Sequence, residues 1–120
     1  MQYTKLTIEA PIAVLTIDRP EYRNALNSQV YREIIAALRD VQSRDDVRVV
    51  LLTGAGDKAF AAGADIAQMV QESPQSGRQL SALCHEAAEL LETMRQVSIA
   101  AVNGYALGGG TELCLVSDLR

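Results

Sequence analysis

Three consecutive glycines, Gly108 to Gly110, lie between the apolar run Ile99–Val102 and a stretch of helical character. A strand that ends in bare backbone and opens a helix directs free N–H groups and the positive end of the helix dipole at one point. Glu112 follows closely enough to place its carboxylate in the first helical turn. The segment therefore offers an anion-stabilising site with an acid/base group. The structural alternative is that the glycines permit close packing and Glu112 faces water.

A second segment, Phe60–Ile66, is rich in small residues and follows the strand-like run Val47–Thr53. Small side chains let a ligand approach the backbone, and Ala64 presents its N–H at or just before a helix start. Two N–H groups from separate loops form an oxyanion hole when they converge on one oxygen. We predict that the N–H groups of Ala64 and Gly109 converge in this way, and that Glu112 faces the hole rather than bulk solvent.

The remaining polar residues point to structural roles. Asp65 is interpreted first as a carboxylate that caps a helix, and the only histidine, His85, lies on the polar side of its predicted helix. Cys84 and Cys114 lack the spacing of metal ligands, so we expect no metal site and two free thiols in a reducing cytosol.

Composition favours a single domain over residues 1–120, with 48% hydrophobic residues and a net charge of −4. The negative charge opposes nonspecific binding to nucleic acid or to an anionic membrane surface. No secretory signal is recognisable at the N-terminus, and no apolar run approaches the ~20 residues of a membrane span. We therefore expect a cytoplasmic protein that acts on a small molecule.

The hydrophobic periodicity predicts an α/β fold, in which strands separated by helices pair in parallel and the first two strands pair antiparallel. The predicted elements are strands Tyr3–Glu9 and Ile12–Asp18 joined at Ala10-Pro11, a helix from Asn27 or Ser28 to about Ser43, strand Val47–Thr53, a short helix from about Ala64 to Val70, a loop Gln71–Gln79, an amphipathic helix Leu80–Met94, strand Ile99–Val102 and a helix after Gly110.

Three segments, in this order, resemble the crotonase superfamily, also called the enoyl-CoA hydratase/isomerase family. They are Ile17–Pro20 with Arg23–Leu26, then Ala59–Ile66, then Ile99–Leu113. The resemblance implies a spiral of ββα units. Family members are roughly twice as long and carry a second catalytic glutamate about twenty residues downstream of the first. The chain therefore resembles the N-terminal half of such an enzyme, up to a point before the C-terminal helical part.

The resemblance implies a lyase of fatty-acid β-oxidation, an enoyl-CoA hydratase that adds water to a 2-enoyl-CoA thioester. Its enolate-like intermediate would be held by the N–H groups of Ala64 and Gly109, with Glu112 as one catalytic carboxylate. No separate cofactor is expected, because coenzyme A is part of the substrate. Two alternatives stay open: another reaction of the family, such as enoyl-CoA isomerisation, and a non-catalytic CoA-binding fragment, because the second glutamate is absent.

The resemblance also implies where an acyl-CoA would touch the chain. The backbone around Ala25 would skirt the coenzyme A moiety, and Arg23 offers charge to a phosphate. The Tyr105 ring either lines an acyl or pantetheine channel or packs in an ordinary way. We expect the complete protein to form homo-oligomers, as trimers or hexamers. The expected substrate contacts are Ala25, Ala62, Ala64, Asp65, Ile66, Tyr105 and Gly109.

Overall fold

The computed structural model describes residues 1–120, and its elements repeat the order strand, strand, helix three times. The first unit contains β1 (Thr4–Glu9), β2 (Ile12–Ile17) and α1 (Ser28–Gln42); the second β3 (Val49–Gly54), β4 (Ala59–Ala61), α2 (Ile66–Val70) and α3 (Pro74–Thr93); the third β5 (Val97–Ala100), β6 (Tyr105–Ala106) and α4 (Gly109–Val116). The predicted α/β class and its ββα units are confirmed. None of the helices combines the length and apolar character needed to cross a membrane.

The main sheet has four strands in the order β1-β2-β3-β5. Strands β1 and β2 form an antiparallel hairpin through Ala10-Pro11, with Thr4 opposite Ile17. Strands β2 and β3, and then β3 and β5, pair in parallel. Both pairings follow the prediction. Parallel neighbours require crossover connections, which α1 and the α2–α3 segment supply here.

The core lies between the main sheet and helices α1 and α3. Alternate residues of β2 and β3 are buried, among them Leu15, Ile17 and Leu52. Helix α1 contributes the apolar residues Val30, Ile34, Ala37, Leu38 and Val41, which recur at helical spacing, and α3 contributes Ala87 and Leu91. Residues spaced three or four apart share one helix face, so the stripe that the sequence shows is the face that the sheet covers.

A second, two-stranded sheet pairs β4 with β6 in parallel and was not predicted. Strands of three and two residues are too short for an alternating pattern to reveal them. The sheet brings the two small-residue segments together. A side chain at Gly104 would collide with the carbonyl of Lys58, and one at Gly110 with the carbonyl of Ala61, so glycines set this close approach.

Helix α3 begins at Pro74, so the predicted loop Gln71–Gln79 is confirmed only for residues 71–73 and is wrong from Pro74 onward. The hydroxyl of Ser73 accepts a hydrogen bond from the Ser76 N–H, and the Ser76 hydroxyl accepts one from the Ser73 N–H. This reciprocal cap, with proline in the first turn, starts the helix in a segment whose composition is typical of a loop. Strand β5 lies two residues earlier than predicted, at Val97–Ala100.

Candidate functional site

The two predicted loops touch through glycine backbones. Gly63 and Gly108 both have a positive φ, 98° and 51° respectively. Residues that carry a side chain rarely adopt this backbone conformation. A Cβ built on Gly108 would lie 3.7 Å from the Cα of Gly63. Ala64 and Gly109 are the next residues along each loop, so the contact brings the two predicted N–H donors into one neighbourhood.

The Ala64 N–H is directed away from the neighbouring strand segment. Leu26 forms a parallel bridge with Ala64: its N–H donates to the carbonyl of Gly63 at 2.7 Å, and its carbonyl accepts from the Asp65 N–H at 3.1 Å. Because amides alternate in direction along extended chain, the N–H of Ala64 itself points to the opposite side. It makes no hydrogen bond within the chain.

Gly109 is the first residue of α4, and its N–H also makes no hydrogen bond within the chain. The next amide, that of Gly110, donates to the carbonyl of Leu107 at 2.8 Å. A Cβ built on Gly109 would lie 2.7 Å from the hydroxyl oxygen of Tyr31 and 3.1 Å from Leu26 Cδ1. Close packing therefore explains why residue 109 is a glycine. The same residue also has a backbone N–H that is free to bind a ligand.

Glu112 is exposed in this chain, so the expectation that it turns away from bulk solvent is wrong for these residues taken alone. The carboxylate lies close enough to Tyr31 and Cys84 for its charge to act on both side chains. Burial raises the pKa of Tyr31, whose hydroxyl adjoins Gly109, and a hydrogen bond with Cys84 and the charge of Glu112 raise it further. Burial, and then the charge of Glu112, also raises the pKa of Cys84.

Five of the predicted substrate contacts line one cleft of about 520 Å³. They are Ala25, Ala62, Ala64, Asp65 and Ile66, and Arg19, Tyr22, Arg23 and Ala67 complete the lining. Tyr105 lies elsewhere, in a cleft of about 590 Å³ with Lys58, Asp57 and Gly104. Its ring is 61% exposed, so it is not packed into the core. Arg23 borders both clefts, and Gly109 lines neither.

Asp65 has the capping role that the sequence indicates. Its Oδ1 accepts a hydrogen bond from the Gln68 N–H at 3.3 Å, which starts α2. Its Oδ2 accepts one from the guanidinium of Arg19 at 3.1 Å. The structure thus places Asp65 at the cleft with both carboxylate oxygens already bonded to the protein.

The sequence predicts a loop held by hydrogen bonds around Arg19 and Asn24, but not that both residues are almost completely buried after β2. The Asn24 side chain accepts from the Arg19 N–H at 2.9 Å and donates to the carbonyls of Ala55 and Ala59. Asn24 also has a φ of 57°. Asparagine tolerates this conformation better than most residues, so the pair Arg23-Asn24 after a proline turn was the available signal. These contacts tie the loop that contains Ala25 to the segment entering β4.

His85 and Cys114 take no part in these contacts, whereas the Cys84 thiol interacts with Tyr31. His85 is exposed on α3, and both cysteines are free, Cys114 buried and Cys84 half-buried. Burial raises the pKa of the Cys114 thiol. In the whole chain, no group of three His, Cys, Asp or Glu side chains is arranged as metal ligands.

Comparison with known proteins decides the family. Residues 7–120 match the profile of a family described as enoyl-CoA hydratase/isomerase. The chain belongs to the enoyl-CoA hydratase/isomerase family. It is 42% identical over 112 residues to a short-chain-enoyl-CoA hydratase of Clostridium acetobutylicum, covering 93% of this chain and 43% of that protein. It is 43% identical over 122 residues to a crotonyl-CoA hydratase of Syntrophomonas wolfei, covering 100% of this chain and 47% of that protein.

A solved structure agrees with the family assignment. An enoyl-CoA hydratase from Bacillus anthracis superposes with a TM-score of 0.95 and 34% identity, over 99% of this chain and 46% of that one. As a member of the enoyl-CoA hydratase/isomerase family, the chain corresponds to the N-terminal portion of the crotonase fold, and it spans less than half the length of these relatives. The resemblance inferred from the three sequence segments is confirmed.

Proposed function

We propose that this protein acts in the hydration of a short-chain 2-enoyl-CoA thioester. The observation that carries the proposal is the pair of unbonded N–H groups, at Ala64 and Gly109, on two loops that touch through Gly63 and Gly108. The names of the two bacterial relatives, a short-chain-enoyl-CoA and a crotonyl-CoA hydratase, support a short acyl chain.

The proposed mechanism begins with the thioester carbonyl between the two N–H groups. As water adds its hydroxyl to the β-carbon, electron density moves onto the carbonyl oxygen and gives an enolate-like anion. Two preorganised donors stabilise that anion, and each such donor contributes about 3–4 kcal/mol elsewhere. Glu112 is one of the carboxylates that orient the water and move a proton, and the α-carbon then takes up a proton to complete the addition. The second carboxylate is not assigned to a residue of this chain.

The substrate-binding part of the proposal uses the cleft lined by Ala25, Ala62 and Ala64. Its small side chains leave the backbone accessible to the coenzyme A moiety, and Arg23 carries a positive charge at its rim. Coenzyme A enters as part of the substrate, so no separate cofactor is invoked. We further propose that the complete protein is cytoplasmic and assembles as a homo-oligomer, a trimer or a hexamer.

The test is hydration of crotonyl-CoA, followed by the loss of the enoyl absorbance. The chain is assayed alone and as a chimera with the remaining portion of the Clostridium acetobutylicum relative. In the active form, Glu112→Gln should lower kcat at least ~10²-fold and change KM only a few-fold. Glu92→Gln, an exposed acid on α3, is the matched control and should leave kcat unchanged.

Three outcomes would change the proposal. An unchanged kcat in Glu112→Gln would remove Glu112 from the mechanism. Binding of coenzyme A by calorimetry with no hydration in either form would favour the non-catalytic alternative, and conversion of a 3-enoyl-CoA in place of hydration would favour isomerisation.

A further inference from the structure

Arg19 is a charged residue in an unusual position, because it is only 4% exposed. Its guanidinium carbon lies 4.7 Å from the ring centre of Tyr3 and 4.6 Å from that of Tyr22. Burying a cation is costly unless the charge is paired and hydrogen-bonded. Arg19 is paired with Asp65 at 3.1 Å, and each of the two rings supplies a cation–π contact.

The contacts of this one guanidinium join two chain segments. Its Nη1 donates to the carbonyl of Ala25 at 2.8 Å and to Asp65 Oδ2 at 3.1 Å. Ala25 precedes Leu26, and Asp65 follows Ala64, so both acceptors directly flank the bridge between Leu26 and Ala64. That bridge consists of only two hydrogen bonds and belongs to no longer strand. Arg19 therefore reinforces the bridge from a buried position beside the cleft.

We propose that Arg19 is a positioning residue that holds the Ala64 N–H in the direction required to stabilise the thioester oxyanion. The inference rests on the proposed function of Ala64 as an oxyanion donor. The bridge turns the flanking amides toward Leu26 and so turns the Ala64 N–H away from it. If the bridge shifts, the donor shifts with it, and a misplacement of about 1 Å is enough to lower a rate ~10²-fold.

An arginine suits this role better than a lysine. The planar guanidinium presents several donors in fixed directions and stacks on aromatic faces, whereas an ammonium is a strongly hydrated point charge on a flexible stem. A surface ion pair gives the comparison: Arg39 and Glu86 lie 3.2 Å apart with side chains 61% and 43% exposed. Such pairs contribute little to stability, so Arg39 is a matched control for the loss of a guanidinium.

The functional test measures catalysis and ligand affinity separately in the form that hydrates crotonyl-CoA. Arg19→Lys should lower kcat ~10²-fold, while the affinity for coenzyme A itself, which has no acyl carbonyl, should change less than ~5-fold. Asp65→Asn should act in the same direction, because asparagine retains the α2 cap but removes the charge pair. Arg39→Lys should match the unchanged protein. A folded Arg19→Lys protein with kcat within threefold of the original, or with kcat and coenzyme A affinity lowered equally, would overturn the proposal.

A second measurement does not depend on the reaction. Amide hydrogen exchange of Leu26 and Asp65, the two donors of the bridge, should accelerate at least ~10-fold in Arg19→Lys and in Asp65→Asn, with the amides in the middle of α1 unchanged. Equal protection of these two amides from exchange in all variants would overturn the positioning role of Arg19, even where hydration is observed. The protein could instead show faster exchange at the bridge but neither hydrate crotonyl-CoA nor bind coenzyme A. That result would support the positioning role of Arg19 and reject the proposed function.

Discussion

Gly110 shows how strictly a single residue can be constrained by its neighbours. A Cβ at this position would overlap the carbonyl of Ala61, which is backbone and cannot swing aside. We expect Gly110→Ala to lower the free energy of unfolding by at least about 1–3 kcal/mol, because β4 and α4 must separate. Gly77→Ala in α3 is the control, since nothing lies within 4 Å of its added methyl, and it should raise stability by up to about 1 kcal/mol. Urea unfolding of both variants measures the difference, and equal stabilities would contradict the packing argument.

Glu33 makes the stability of the fold depend on pH. Burial alone would raise its pKa, but hydrogen bonds from the N–H of Tyr3, the side chain of Gln29 and both donors of Thr4 outweigh burial and hold the pKa below 4.5. The unfolded chain therefore binds this proton at a higher pH than the native chain does. The stabilisation is complete above about pH 4.5 and is lost as the pH falls through the lower, native value.

We accordingly expect Glu33→Gln to lower the free energy of unfolding by about 1–3 kcal/mol at pH 7, the range for hydrogen bonds to a charged group. The gap between the two proteins should narrow as the pH falls through the lowered pKa of Glu33, because the native carboxyl is then protonated in the original protein too. Denaturant titrations at several pH values test this, with Glu89→Gln on the exposed side of α3 as the control for a lost negative charge. A gap that stays constant with pH would rule out the role given to the Glu33 carboxylate.

At the scale of elements, the start of α3 is stabilised by a cap in a segment whose composition is typical of a loop. Ser73 and Ser76 exchange hydrogen bonds at its start. Ser73→Ala should reduce the free energy of unfolding by about 1 kcal/mol, the usual contribution of an N-cap hydroxyl. Ser81→Ala, an exposed serine inside the same helix, should be neutral or slightly stabilising. Thermal melts followed by far-ultraviolet circular dichroism give both values, and equal melting temperatures would show that the cap contributes nothing.

The elements that the sequence predicts are those whose pattern is long enough to repeat. Helix α1, the hairpin β1–β2 and the buried strands β3 and β5 all show a period of 3.6 or 2, or a continuous apolar run. Strands β4 and β6 are too short for any period, and the start of α3 is decided by two hydroxyls. Ala64 and Gly109 could be proposed as donors from the sequence because each lies in a local motif that resembles the family. The contacts of Arg19 join residues that are far apart in the chain, so no local sequence pattern predicts them.

At the scale of the whole molecule, the last part of the chain leaves large apolar side chains exposed. Among them are Val102, Leu107, Leu115 and Leu119, each between 45% and 61% exposed. We expect the 120-residue chain to self-associate at micromolar concentration or to have low stability by itself, because water-exposed apolar surface favours association. Sedimentation velocity with a thermal melt tests this. The double change Leu115→Ser and Leu119→Ser should shift any oligomer toward monomer, and Val70→Ser on α2 should not. A strictly monomeric chain with a sharp melt above about 60 °C would contradict the expectation.

The two rings that enclose Arg19 have an optical consequence. The chain contains four tyrosines and no tryptophan. Two of the tyrosines flank Arg19, the third adjoins Gly109 and the fourth borders the cleft of Lys58; they are Tyr3, Tyr22, Tyr31 and Tyr105. Its tyrosine fluorescence and tyrosine near-ultraviolet dichroism therefore arise from the surroundings of Arg19, from the neighbour of Gly109 and from the second cleft. A change in the surroundings of these tyrosines can therefore be followed by tyrosine spectroscopy of the unlabelled protein, without a tryptophan signal in the background.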